Sequence, residues 1–149
     1  MSVSEILQTR LMLQDKSVAK INSMEEMEVF KNSHRLTLKI YKMTDLFPHT
    51  EKFGLISQMR RASSSIATNL IEGSHRFSRK EFRQFASISR GSAGEMKYHL
   101  LLAKDLGYLS HDEYAELIGA LEEISKMLTG LIKSLSYTGV QAHTGTDTV

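Results

Sequence analysis

Gln58, Arg61, Ser65, Asn69 and Glu72 recur at the spacing of one helix side, and Ser92 with Glu95 lie in a later segment able to face them. An arginine beside a carboxylate and several neutral acceptors suits one of two tasks. It can form a partly desolvated ion pair, here Arg61 with Glu95, that fixes how two helices meet, or it can hold phosphate together with its neighbour. Consecutive helical residues diverge by about 100°, so Arg60 points away from Arg61 and is the better phosphate candidate of the two. A denser group, His75, Arg76, Arg79, Lys80 and Arg83, has the charge to neutralise several phosphates, the alternative being a solvated helix end. Four cations at the start of a helix oppose its dipole, which favours an anionic partner there. The nucleic-acid-binding candidates are therefore Arg60, Arg76, Arg79, Lys80 and Arg83. Gln58, Arg61, Asn69, Glu72, Ser92 and Glu95 form the candidate structural network.

Other chemistries find less support. Glu72-Gly73-Ser74-His75 has the spelling of carboxylate-bridged metal bundles, but that chemistry needs a second such motif on a facing helix, and Glu95 to His99 is one residue too long. No metal or other cofactor is expected. His99 falls on the core side of its helix and reads as a hydrogen-bonded core histidine. No arginine is followed by a histidine four to six residues later, as some helical ribonucleases require, and Ser63, Ser64 and Ser65 lack a neighbouring base. There are no cysteines, which removes disulfides and thiolate chemistry together. The expected protein is not an enzyme.

The elements that must position these residues are helices. Val29, Leu36, Ile40, Met43 and Phe47 form the first seam, which stops before Pro48, the only proline. A second helix is expected from an N-cap at Thr50, with Leu55, Met59, Ala62, Ile66 and Leu70 on one face, to Gly73 as its C′ residue. Ser78 with Glu81, and Ser110 with Glu113, read as capping boxes opening two more. The last helix carries a heptad seam: Tyr114, Leu117, Leu121, Ile124, Leu128, Leu131 and Leu135. Four amphipathic helices on short loops pack as an all-α, antiparallel up-and-down four-helix bundle over residues 26–135. Residues 1–25 are an N-terminal extension without a sustained seam, and 136–149 a polar tail expected to be disordered. If the second and third helices fold about His75 and Arg76, Ala62–Ser65 meet Gly91–Gly94, and close contact there accounts for glycines inside a helix.

At 149 residues and 41% hydrophobic content, one domain with a true core is expected. No apolar run is long enough for a membrane span or a signal peptide, so the expected location is cytoplasmic. The overall charge is only +2, but it is unevenly spread. From Phe30 to Lys104 fourteen basic residues face five acidic ones, and from Asp105 to Leu135 six acidic residues face two lysines. Such polarity suits an acidic partner or self-complementary assembly.

Three stretches carry a resemblance. They are Ile40-Tyr41-Lys42-Met43-Thr44 with Phe47-Pro48, Glu51 to Ala62, and Ser65-Ile66-Ala67-Thr68-Asn69-Leu70-Ile71-Glu72-Gly73. With Gly91-Ser92-Ala93-Gly94-Glu95 and Leu106-Gly107-Tyr108-Leu109, the chain resembles the four-helix bundle proteins encoded by intervening sequences of bacterial 23S ribosomal RNA genes. The likeness covers roughly residues 26 to 135. Residues 1–25 have no counterpart in it, and Phe30 or a neighbour stands where that family carries Trp. It implies a homo-oligomer, a pentamer favoured. It also implies kinship to accessory proteins of diversity-generating retroelements, which bind nucleic acid and a reverse transcriptase. The expected function is an RNA-associated scaffold, the alternative being a protein–protein adaptor for a polymerase or ribosome-associated factor.

Overall fold

A computed structural model describes residues 2–9 and 23–136. Among them are five α-helices and no strand: α1 (3–9), α2 (Glu28–Thr44), α3 (Leu55–Ser74), α4 (Arg79–Asp105) and α5 (His111–Ser136). The expected disorder of the C-terminal tail falls on residues 137–149, outside the described range, except for Ser136, which closes α5.

Each helix boundary has a local cause. Ser2 and Glu5 cap α1 reciprocally, the Glu5 amide donating to Ser2 Oγ and the Ser2 amide to the Glu5 carboxylate. Within 1–25, residues 3–9 are helical and the turn Met24–Glu26 buries Met24 in the core, while residues 10–22 lie outside the described range. α3 opens at Leu55, five residues beyond the expected cap at Thr50. Glu51 caps it instead, its carboxylate accepting the Leu55 amide at 3.0 Å. Ser78 and Ser110 cap α4 and α5 as their spacing indicates, accepting the amides of Glu81 and Glu113 at 3.1 Å each. α4 ends in a Schellman motif, with Gly107 at φ +81°, the Gly107 amide bonded to the Lys104 carbonyl and the Tyr108 amide to that of Ala103.

Gly73 does not end α3. The helix runs through it to Ser74, and His75 closes it at negative φ. What Gly73 supplies is room: a Cβ there would lie 2.8 Å from Phe85 Cβ and 3.1 Å from the Phe82 ring, so α3 and α4 touch through its bare backbone. Gly91 and Gly94 behave oppositely. A Cβ at either meets nothing within 4 Å, so they do not make the close contact expected of them. Ser89, Ser92 and Ala93 face inward in their place.

The helices pack in chain order, α2 on α3, α3 on α4 and α4 on α5, and α2 also touches α5. Ile40, Ile66, Leu70, Met96, Leu100, Ile124 and Leu128 are fully enclosed between them, and this shared apolar burial is the main stabilising term. Polar threads cross between helices: Thr37 Oγ1 donates to the Ser63 carbonyl, Ser89 Oγ to that of Ile66, and the hydroxyls of Ser65 and Ser92 meet at 2.9 Å. Lys39 clasps Glu116 at 2.7 Å on the outer edge of α2 and α5. At the far end the Tyr108 ring packs against Phe47, tilted by 47° with centroids 5.3 Å apart, and its hydroxyl donates to Glu51. Burial first, then its bond to the Glu51 carboxylate, pushes the Tyr108 phenol above its ordinary pKa.

Candidate nucleic-acid interface

The α3–α4 contacts place the polar residues in two clusters. Asn69 Nδ2 donates to the Ser65 carbonyl at 2.8 Å and to Ser65 Oγ at 3.0 Å, and Ser65 meets buried Ser92. The second cluster joins Arg61 to Glu95 at 3.3 Å, with His99 Nε2 reaching the same Glu95 oxygen at 3.3 Å. His99 is buried, and its Nδ1 has no hydrogen-bond partner. Gln58 and Glu72 join neither cluster among the described residues, and both are exposed. Arg61 and Glu95, and Ser65 and Ser92, thus meet at the heights where the sequence placed them together, while the turn centres near Phe77 and Ser78, about two residues beyond His75 and Arg76, because α3 extends through Ser74. The Arg61–Glu95 pair is wetter than expected, at 69% and 39% side-chain exposure, so it orients side chains more than it stabilises.

Arg60 turns inward. Its Nε donates to Thr44 Oγ1 at 2.9 Å, its Nη2 to the Tyr41 carbonyl and the Asp45 carboxylate at 3.2 and 2.8 Å, and its guanidinium lies 4.6 Å from the Tyr41 ring centre. It therefore caps the C-terminal end of α2, where a cation is favoured, and its donors are directed away from a phosphate.

The turn cluster is also partly engaged. Arg79 Nη2 donates to the Ser134 carbonyl at 3.0 Å, and Arg83 Nη1 to Ser136 Oγ at 3.5 Å. The start of α4 thus lies against the end of α5, whose free carbonyls supply the negative pole that the sequence appeared to lack. Arg76 stacks over Phe85 at 4.7 Å, and Lys80 is exposed without an ion pair among the described residues.

A basic line that the sequence reading passed over follows α4: Arg83, Arg90, Lys97 and Lys104 stand seven residues apart. Seven residues are nearly two turns, so the four share one flank of the helix at intervals of about 10.5 Å. That flank borders a groove between α4 and α5 formed by two cavities of ≈ 490 and ≈ 250 Å³ that share Gly94 and Ser125. Arg90 lines the larger, while Lys97, Glu122 and Lys126 line the smaller. The heptad recurrence of cations was legible in the sequence. The groove was not, since it depends on Gly91 and Gly94 facing outward.

Among the described residues no three histidine, cysteine or carboxylate side chains cluster as metal ligands, and no helix is long and apolar enough to cross a membrane. A family model for the 23S rRNA-intervening sequence proteins matches residues 25–130. Among solved structures, the chain is similar to a protein of unknown function from the S23 ribosomal protein family of Bacteroides thetaiotaomicron. The TM-score is 0.65 at 26% identity, covering 70% of this chain and 95% of that one. Comparison with curated proteins gives no match.

Proposed function

The chain belongs to the 23S rRNA-intervening sequence protein family, and on that premise we propose that it acts by association and not by catalysis. In this reading it is an antiparallel up-and-down four-helix bundle that assembles with copies of itself, a pentamer favoured, and binds RNA in the cytoplasm. The bundle topology is supported by the order of contacts across α3 and α4: Arg61, Ser65 and Ile66 meet Glu95, Ser92 and Ser89 in turn, one series rising as the other falls. Each loop then returns the chain along its predecessor, and the α2–α5 contact closes the set.

The observation that carries the RNA reading is the supply of cations left without carboxylate partners. Lys80, Arg90, Lys97, Lys126 and Lys133 are exposed on α4 and α5, and none forms an ion pair among the described residues. Surfaces of this kind draw affinity from displaced counterions, with little base readout. The acidic residues of α5 collect in its first half, from Asp112 to Glu123, and in an assembly they face a neighbour's basic surface. Names on both sides of the comparison refer to ribosomal RNA or the ribosome.

Light scattering at tens of micromolar tests assembly, and a monomer there refutes that half of the proposal. Fluorescence anisotropy with labelled RNA across 50 to 200 mM salt tests the other half. The expected log–log slope is several units negative. Failure of the wild-type protein to bind RNA at low salt transfers the basic surface to an acidic protein partner, the adaptor reading.

A further inference from the structure

We propose that the groove between α4 and α5 is a track for the phosphodiester backbone of single-stranded RNA, with Arg90, Lys97 and Lys126 as its phosphate contacts. The inference rests on the RNA reading above and moves its centre away from Arg60 and the α3–α4 turn. Arg60 and Arg79 are bonded within the fold, and Arg83 reaches the end of α5. Arg90, Lys97 and Lys126 are exposed, line the groove and form no ion pair among the described residues.

Charge and shape coincide here. Beyond Glu123 the described part of α5 has no acidic residue, and both of its lysines, Lys126 and Lys133, lie in that half. Glu122 is the only acidic side chain lining either cavity. The groove floor carries only small residues where it passes Gly91, Gly94 and Ser125, so a chain can approach the backbones of both helices. Measured from Ser87 to Lys97 the track is about 15 Å long, enough for a few nucleotides and too confined for a duplex to enter. Tyr98, 61% exposed and next to Lys97, offers a ring on which a base can stack. A positive groove with an aromatic beside it fits a single strand, whose backbone carries the phosphates and whose bases are free to stack.

The test uses the full chain and a labelled 20-nucleotide oligouridylate. Replacing Arg90, Lys97 and Lys126 together by Gln should lower affinity roughly 100-fold at 0.1 M salt. It should also reduce the slope of log affinity against log salt by about 2, since each phosphate contact to a single strand contributes about 0.7. A second variant, Gly91→Leu with Gly94→Leu, fills the floor without altering charge. Because a Cβ at either position meets nothing within 4 Å, this chain should fold with unchanged circular dichroism and bind the oligonucleotide at least tenfold more weakly. The control Lys31→Gln/Lys42→Gln on α2 should change affinity less than threefold. If wild type binds the RNA but both groove variants match it, the track is overturned while the RNA reading stands. If wild type binds no RNA, both fall. Tighter binding to a duplex, or to polyglutamate of equal charge, also overturns the assignment.

Discussion

Three glycines inside helices give opposite expectations when each becomes alanine, and the contrast measures helix contact directly. Alanine is favoured over glycine within a helix by about 1 kcal/mol, partly because the unfolded chain loses freedom. At Gly91 and Gly94 the new methyl enters open space, so each substitution should stabilise by about 0.5–1 kcal/mol. At Gly73 the same gain is set against a methyl placed 2.8 Å from Phe85 Cβ and 3.3 Å from the Phe82 carbonyl oxygen. A Cβ and a backbone oxygen cannot swing aside as a side-chain tip can, so α4 itself must shift. Overpacking of this kind costs about 1–3 kcal/mol, which cancels the gain and leaves Gly73→Ala destabilised by up to about 2 kcal/mol. Urea denaturation at neutral pH reads these differences through the midpoint at constant slope. If Gly73→Ala raises the midpoint as much as Gly91→Ala does, α3 and α4 are farther apart than their contacts indicate.

Other outcomes follow from partners already described. Arg60→Ala should cost about 1–3 kcal/mol, because the partly buried guanidinium holds Thr44, the Tyr41 carbonyl and Asp45 at once. Arg61→Ala, which breaks an exposed pair, should cost under about 1 kcal/mol, and equal losses in thermal melts would contradict the geometry. Lys39, through its hydrogen bond and then its charge, holds the Glu116 carboxylate below the ordinary glutamate pKa. The clasp therefore contributes above about pH 4.3 and is lost as pH falls through the lower folded value, so the melting difference between wild type and Glu116→Gln should vanish in strong acid. A difference persisting there would assign the effect to packing. Tyr108 has the opposite sense: its neutral phenol contributes below its ordinary pKa, near 10, and that contribution is lost as pH rises through the elevated folded value. Phenolate absorbance should show its ionisation delayed beyond the ordinary tyrosine range.

The helices were largely legible because seam and cap are local signals. Ser78 with Glu81 and Ser110 with Glu113 name their own partners three residues away, and Leu117, Leu121, Ile124 and Leu128 declare a buried face by spacing alone. Gly73 was misread because glycine serves both a left-handed turn and a close approach, and only the position of Phe85 distinguishes them. The start of α3 was missed because a glutamate four residues upstream supplied the cap where the nearest hydroxyl, on Thr50, was expected. The site was less legible still. The cations near residue 80 looked unpaired because Ser134, which binds Arg79, lies more than fifty residues away, and Arg60 looked available because Asp45 and Thr44 lie beyond a turn.

The buried hydroxyls between α3 and α4 also bear on how the chain avoids misfolding. A helical hairpin faced with alanine and serine could slip by one turn, about 5.4 Å, and keep much of its apolar contact, which would trap part of the population in a near-native state. Here a slip would pull Ser89 Oγ from the Ile66 carbonyl and separate Ser65 from Ser92, stranding polar groups away from water at about 1–3 kcal/mol each. Two such losses are comparable to much of a small domain's net stability, so slipped hairpins stay sparse and refolding should proceed without a slow correcting phase. Ser89→Ala and Ser92→Ala together would remove that penalty, with the trapped state appearing as a second kinetic phase before any large fall in equilibrium stability.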